Sequence, residues 1–248
     1  KLEISGSGAL TYLQFLTTNQ LDRPIGKTVY TAMLNEKAGI RCDLTITRMA
    51  NDKFLVLTGG STGPLDTHWL KQNLPSDGSV KINDISSSQC CIGIWGPNAR
   101  NMLQNLASID LSNKSFPYMT AQHFNIRQIP VLGIRISYVG EMGWEIYTPT
   151  EYGSKLWDSL WDAGQNYGIV AAGSGAFESL RVEKGYRLWG TDIHTEYNPL
   201  EAGLSFSVKM NKGDFIGKTS LEKIIVEGVN RSLACLVFDN PTHLVMGK

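Results

Sequence analysis

Three observations point this sequence to an α+β chain in two closely packed lobes. Segments of strand type alternate with segments of helical spacing from Lys1 to about Ser86, and a second such series starts at Cys90. A length of 248 residues suits one large domain or two packed lobes. Glycine, at 25 residues, is about a tenth of the chain against a usual ~7%, which fits tight turns between short strands.

In order along the chain, Leu2 to Ser5 reads as a strand and Ala9 to Thr17 as a helix. Asp43 to Met49 and Phe54 to Thr58 read as two strands joined by Ala50-Asn-Asp-Lys, small and polar residues suited to a hairpin loop. Thr62 to Leu74 places Leu65, Trp69, Leu70 and Leu74 at helical spacing. The apolar run Cys90 to Trp95 opens the second series, and Pro97 suits the first turn of a helix that continues to Leu106. Val131 to Val139 and Gly143 to Tyr147 are strands. Glu151 to Gln165 is an amphipathic helix with Leu156, Trp157, Leu160 and Trp161 on one face, ended by Gly164 or Gly168. A helix from Ala176 to Glu183 stops at Gly185, and Asn198 is the N-cap candidate of a short helix at Pro199. Leu233 to Asp239 begins a new strand. With strand signals at both ends, the chain is expected to be a fragment of a longer polypeptide.

Lys plus Arg and Asp plus Glu are 23 each, so there is no global field to hold a polyanion, and no nucleic-acid partner is expected. No run approaches the about 18 apolar residues of a membrane helix. Cys42, Cys90, Cys91 and Cys235 have no CxxC spacing and read as reduced thiols, which points to a cytoplasmic location, with the mitochondrial matrix as the alternative.

Two glycine motifs fail. Gly6-Ser-Gly8 would need glycine at position 11, where Thr11 stands, so the dinucleotide fingerprint is incomplete. Gly217-Lys218-Thr219 would need glycine at 212, which is Lys212, so no phosphate loop is encoded. The four histidines are far apart, and no metal site is expected.

Two carboxylates remain. Ile134 to Tyr147 reads as a hairpin turning at Gly140-Glu-Met-Gly143; pairing Val139 with Trp144 puts Tyr138 opposite Glu145 and Ile136 opposite Tyr147, all on one face. A carboxylate on such an aromatic surface needs donors. Either it meets an Arg or a backbone amide, or it accepts two hydrogen bonds from a planar heterocycle such as a pterin. Asp43 shares a strand face with Thr45 and Thr47; it is either a turn carboxylate after Gly39 or a functional one. The charges of Glu178, Arg181, Glu183 and Lys184 read as ordinary helix-surface pairs.

Ser137 to Tyr147, Ser179-Leu-Arg-Val-Glu-Lys-Gly-Tyr186, Trp189-Gly-Thr-Asp192, Asn198 to Leu204 and Phe215-Ile-Gly-Lys218 together resemble the tetrahydrofolate-binding family of the glycine-cleavage T-protein, or aminomethyltransferase. Within it, Cys90 to Pro97 and Glu183-Lys-Gly-Tyr-Arg187 look most like the dimethylglycine oxidase branch. The resemblance implies the two-lobed aminomethyltransferase-like α+β fold over 1–228, with mixed or antiparallel sheets and packed helices, then the truncated start of a C-terminal β-barrel over 229–248. It also implies a folate unit that follows an N-terminal FAD-dependent amine oxidase in the same polypeptide and captures a one-carbon unit as 5,10-methylenetetrahydrofolate. Asp43 matches the family's functional aspartate, a proton acceptor beside the folate. Glu145 matches the pterin-binding glutamate, with Tyr138 and Tyr147 lining the pocket and Ile146 offering backbone; Tyr30, Thr45 and Leu57 fall at the remaining folate contacts. Phe177 stands where the T-protein has an arginine, which favours the oxidase branch over a free-standing aminomethyltransferase. A third possibility is a regulatory protein that kept the fold without the chemistry.

Overall fold

Alternation of side chains sorts the first lobe into two faces. In the computed structural model, which describes residues 1–240 and Thr242, the strands β1 (Leu2–Ser5), β2 (Thr28–Leu34), β3 (Ile40–Ala50), β4 (Lys53–Leu57) and β5 (Lys81–Asp84) form an antiparallel sheet in the order β2-β3-β4-β1-β5. Leu2, Ile4, Val29, Met33, Cys42, Leu44, Ile46, Phe54 and Val56 fill one face, packed under α1 (Ala9–Leu16) and α2 (Gly63–Gln72) through Leu13, Leu16 and Leu70. Burial of such side chains contributes roughly 25 cal/mol per Å² of apolar surface, so this layer is the main support of the lobe.

The expected β3–β4 hairpin forms, with Ala50 paired to Lys53. Gly6-Ser-Gly8 has a packing role: Gly6 has φ +118°, and a Cβ there would stand 2.2 Å from the Ser79 carbonyl oxygen. In α2 only Leu70 of the expected apolar stripe is fully buried, while Leu65 is 58% exposed.

The second lobe repeats the plan with β6 (Gln89–Trp95), β7 (Ala121–Ile126), β8 (Ile129–Ile134) and β9 (Gly143–Pro149), ordered β6-β9-β8-β7 and antiparallel. Phe124, Ile126, Val131, Trp144 and Ile146 face α3 (Ala99–Gln104) and α4 (Gly153–Gly164), meeting Met102, Leu103, Leu156 and Leu160. Here the expected α4 face is corrected. Leu156, Ser159 and Leu160 are the buried stripe, whereas Trp157 and Trp161 are 47% and 36% exposed and stack on each other at 6.2 Å. Each tryptophan lies one residue, about 100°, round the helix from a buried leucine, so the two cannot share its contact.

After α5 (Ser174–Glu183) the chain returns to the free face of the first sheet. Ile193, Ala202, Leu204, Phe215 and Leu221, the last on α6 (Lys218–Glu227), pack there on Ala32, Leu34, Ala38 and Ile40. Asn198 caps a single turn as expected: its Oδ1 accepts the N–H groups of Leu200 and Glu201, and Glu201 reaches back to the Asn198 N–H at 3.0 Å. Arg181 corrects the surface-pair expectation. It is 3% exposed and binds Glu178, Asp192 and the Tyr186 carbonyl, tying α5 to the segment behind it.

The expected strand at Leu233 to Asp239 does not form. Leu233 N–H donates to the Glu201 carbonyl, Leu236 and Val237 are exposed, and no partner strand runs beside them among the described residues. A strand needs a neighbour for its backbone groups. The expected barrel start extends to residues 241 and 243–248, which lie outside the described ones, and no barrel closure is present among those described.

The lobes join where Ala121 N–H donates to the Gly26 carbonyl (2.7 Å) and Thr28 N–H to the Met119 carbonyl (3.0 Å). Beside these bonds Leu55, Ala121, Ile134 and Tyr147 form a buried cluster. Ile134→Ala, at a fully buried position of this cluster, should lower stability by about 2–5 kcal/mol in chemical denaturation. A loss under about 0.5 kcal/mol would mean that the lobes are held together elsewhere.

Candidate active site

Asp43 sits on β3, on the face opposite the first core. Tyr30 pairs with Thr45 and Thr45 with Leu57, so three of the expected site residues form one row across β2, β3 and β4. Asp43 lies two residues along β3 on the same face, and its Oδ2 accepts the Tyr30 hydroxyl at 2.9 Å. One end of this face is covered by the C-terminal segment over Ala32 and Leu34, the other by the second lobe over Leu55. Between them Tyr30, Asp43, Thr45 and Leu57 remain half-buried. Burial holds the Asp43 carboxyl above the ordinary carboxylate range, and the Tyr30 hydroxyl draws it part of the way back. Tyr30 is pushed up in turn, first by burial and then by Asp43, so it stays a hydrogen-bond donor.

Glu145 occupies the matching place in the second lobe, but by a different register from the expected one. Ile134 pairs with Glu145, Gly133 with Ile146 and Leu132 with Tyr147. β8 ends at Ile134 because the backbone then bonds elsewhere: Arg135 N–H donates to the Thr120 carbonyl, and its guanidinium bonds the Phe116 carbonyl and Asn113. The pairing is displaced by four residues, an even number, so Glu145 and Tyr147 keep the expected shared face. Ile146 points the other way, into the second core, with its backbone in the ladder between Gly133 and Ile92. Glu145 Oε2 accepts the Tyr147 hydroxyl at 2.6 Å. Burial raises its proton affinity, and the Tyr147 bond moderates the rise.

Tyr138 is therefore not a cross-strand neighbour of Glu145. It stands in the loop between β8 and β9, its hydroxyl bonded to the Arg187 carbonyl. Burial, the leading cause, pushes it up to about 12. Its ring packs on Phe177 (5.2 Å) and Tyr186 (5.8 Å), and Phe177 continues to Trp95 (5.9 Å). Trp95 in turn lies over Gly93, the residue opposite Glu145, where a Cβ would stand 2.0 Å from its ring. Its Nε1 donates to the Ile136 carbonyl at 2.9 Å. This aromatic run, together with Phe206 stacked on Tyr30 at 5.8 Å, was not expected. One signal was available: Gly93-Ile-Trp95 puts an open position and a large ring on one strand face. The others come from segments distant in sequence.

Each carboxylate thus meets one tyrosine hydroxyl and has acceptor capacity to spare, since an ionised carboxylate offers about four lone-pair sites. Among the described residues no group of three or more His, Cys, Asp or Glu is placed to hold a metal ion, and no helix is long and apolar enough to cross a membrane.

The family model described as GCVT N-terminal domain matches residues 1–212. The mitochondrial dimethylglycine dehydrogenase of Mus musculus is 39% identical over 238 residues, covering 95% of this chain and 27% of that protein. An aminomethyltransferase of Halothermothrix orenii is 35% identical over 93% of this chain and 64% of its own length. The crystal structure of the glycine cleavage system aminomethyltransferase T from Bartonella henselae superposes with a TM-score of 0.79 at 25% identity, over 92% of this chain and 61% of that one. The expected cytoplasmic location is overturned by the mitochondrial dehydrogenases among these relatives. Reduced thiols and the lack of a long apolar run are common to cytoplasm and matrix, so composition could not separate them. By the match to its family model and by these likenesses, the chain belongs to the GCVT N-terminal domain family, the aminomethyltransferase-like proteins.

Proposed function

We propose that the chain is the tetrahydrofolate-binding part of a longer mitochondrial enzyme that oxidises a methylated amine, N,N-dimethylglycine or sarcosine, at an FAD-bearing region of the same polypeptide. It spans 27% of dimethylglycine dehydrogenase, so the oxidation belongs to the portion outside it. The observation that carries the proposal is the pair of half-buried carboxylates, Asp43 and Glu145, each held by a tyrosine hydroxyl. They stand on the two sheet faces that meet at the Leu55 and Tyr147 cluster.

The residues fit the cofactor. Glu145, with spare acceptor capacity beside the rings of Tyr147 and Trp95, suits the adjacent N–H donors of a pterin, and the aromatic run continues from Trp95 through Phe177 to Tyr138. Ile146 sets the spacing of Glu145 and Tyr147, while Tyr30, Thr45 and Leu57 form the opposite wall. Tetrahydrofolate, when bound, supplies the nitrogens that take up the one-carbon unit as 5,10-methylenetetrahydrofolate. Asp43, whose proton affinity is raised by burial, takes up the proton released as that bond forms. Tyr30 keeps its carboxylate oriented, and the apolar Leu57 side limits water.

A second reading, a glycine-cleavage aminomethyltransferase, is favoured by the 35% identity to a protein of which this chain covers 64%. Transfer from an aminomethyl-lipoyl carrier without any flavin region would select it.

Glu145→Gln should weaken tetrahydrofolate binding about tenfold or more in calorimetry, the size expected for a lost charge-assisted bond. Asp43→Asn should spare binding and slow one-carbon transfer by about 10²-fold or more in single-turnover measurements. Unchanged binding and transfer in both variants would sink the site assignment.

The ligand-free protein offers a separate check. Burial raises the folded-state proton affinity of Glu145 above its unfolded value of 4.5, so ionisation costs folding free energy as pH rises through the folded midpoint. Glu145→Gln should therefore melt roughly 2–4 °C higher than the parent at pH 7. That gain should vanish below about pH 4.5, where the carboxyl is protonated folded and unfolded alike. Equal melting at pH 7 would show that the carboxylate is not destabilising.

A further inference from the structure

Asp66 is a buried charge that the proposed chemistry leaves unused. It lies on α2, is 3% exposed, and accepts the Thr62 hydroxyl at 2.8 Å. The Cys42 thiol and the Thr58 hydroxyl approach the same carboxylate. Cys42 belongs to β3, immediately before Asp43, and its thiol is also 3.7 Å from the Asp43 carbonyl oxygen.

The sheet register shows why these groups meet. Met33 pairs with Cys42 and Leu34 with Ile40, so Arg41 is an extra residue, a β-bulge. Cys42 packs in the first core, and the Arg41 guanidinium lies 4.3 Å from the centre of the Trp69 ring, three residues along α2 from Asp66. Two consecutive side chains thus reach the helix side of the sheet, and Asp43 follows onto the open side. The Arg41 Nε has no hydrogen-bond partner, and Arg41 makes no ion pair among the described residues. Its charge is left to balance Asp66 at longer range.

We propose that Asp66 is a positioning residue for Asp43: with Cys42 and Arg41 it holds the bulge that turns Asp43 to the open face and sets the electrostatic background in which that carboxylate takes up a proton. This rests on Asp43 being the proton acceptor of the proposed function. An ionised Asp66 behind the strand disfavours ionisation of Asp43, and the Arg41 charge favours the ionised form of Asp66. On the open face Asp43 meets Tyr30 from β2 and Tyr138 from the β8–β9 loop, while Asp66 from α2 acts from behind the sheet, where Arg41 and Cys42 also lie, and Arg187 from the segment after α5 acts on Tyr30.

The test is an infrared titration of the ligand-free full-length protein, with the Asp43 carboxyl band assigned by its loss in Asp43→Asn. Asp66→Asn should move the Asp43 midpoint to lower pH. The acidic limb of the kcat/KM profile for tetrahydrofolate-dependent transfer should move with it, at unchanged KM. An unmoved midpoint overturns the proposal, because a merely structural Asp66 would alter stability alone. If Asp66→Asn does not fold, Asp66→Ser, which also removes the charge, decides: the midpoint should again fall, and no movement again overturns the proposal. Failure of the underlying function looks different, since Asp43→Asn would then leave transfer intact whatever the infrared midpoints do.

Discussion

The contact between Leu55 of the first sheet and Ile134 and Tyr147 of the second gives the site its walls. Each sheet buries one face under its own helices, so each has one face left to cover. The first sheet needs two covers, the C-terminal segment over Ala32 and Leu34 and the second lobe over Leu55. They touch where the Tyr138 hydroxyl meets the Arg187 carbonyl, and between them Tyr30, Asp43, Thr45 and Leu57 stay half-buried, open enough to be reached and enclosed enough to be electrostatically sensitive.

Half-burial makes the two carboxylates useful. A fully exposed acid would titrate near its ordinary value, and a fully buried one without partners would be prohibitively costly. Asp43 and Glu145 each have one tyrosine hydroxyl, enough to orient an oxygen but too little to satisfy the charge. The aromatic run from Trp95 through Phe177 to Tyr138 and Tyr186 supplies a wall with no charge of its own. Phe177 thus stands at a packing position between two rings, in line with an uncharged side chain there.

Legibility in the sequence followed local physics. β1, with one covered face, and the hairpin between β3 and β4 showed in alternation and turn chemistry. β2 did not: Thr28 to Leu34 is buried on both faces except at Tyr30, so its pattern is continuous. α6 escaped because only Leu221 is buried. The β8–β9 register was misread since Val139 and Ile136 look as strand-like as Leu132, and only the bonds of Arg135 to Thr120 and Phe116 stop the strand at Ile134.

The residue order settled the α+β class, the β3–β4 hairpin, and the placing of Glu145 with Tyr147 on one face, which a period of two preserves under any even slip of register. By its family resemblance it also implied a shared role for Asp43, Thr45, Tyr30 and Leu57. Tertiary packing decided what those residues face: which tryptophans of α4 meet solvent, where Tyr138 stands, and that the Arg41 bulge sets Asp66 behind Asp43. Such outcomes depend on contacts between segments scores of residues apart, and a local pattern carries periodicity but not the partner.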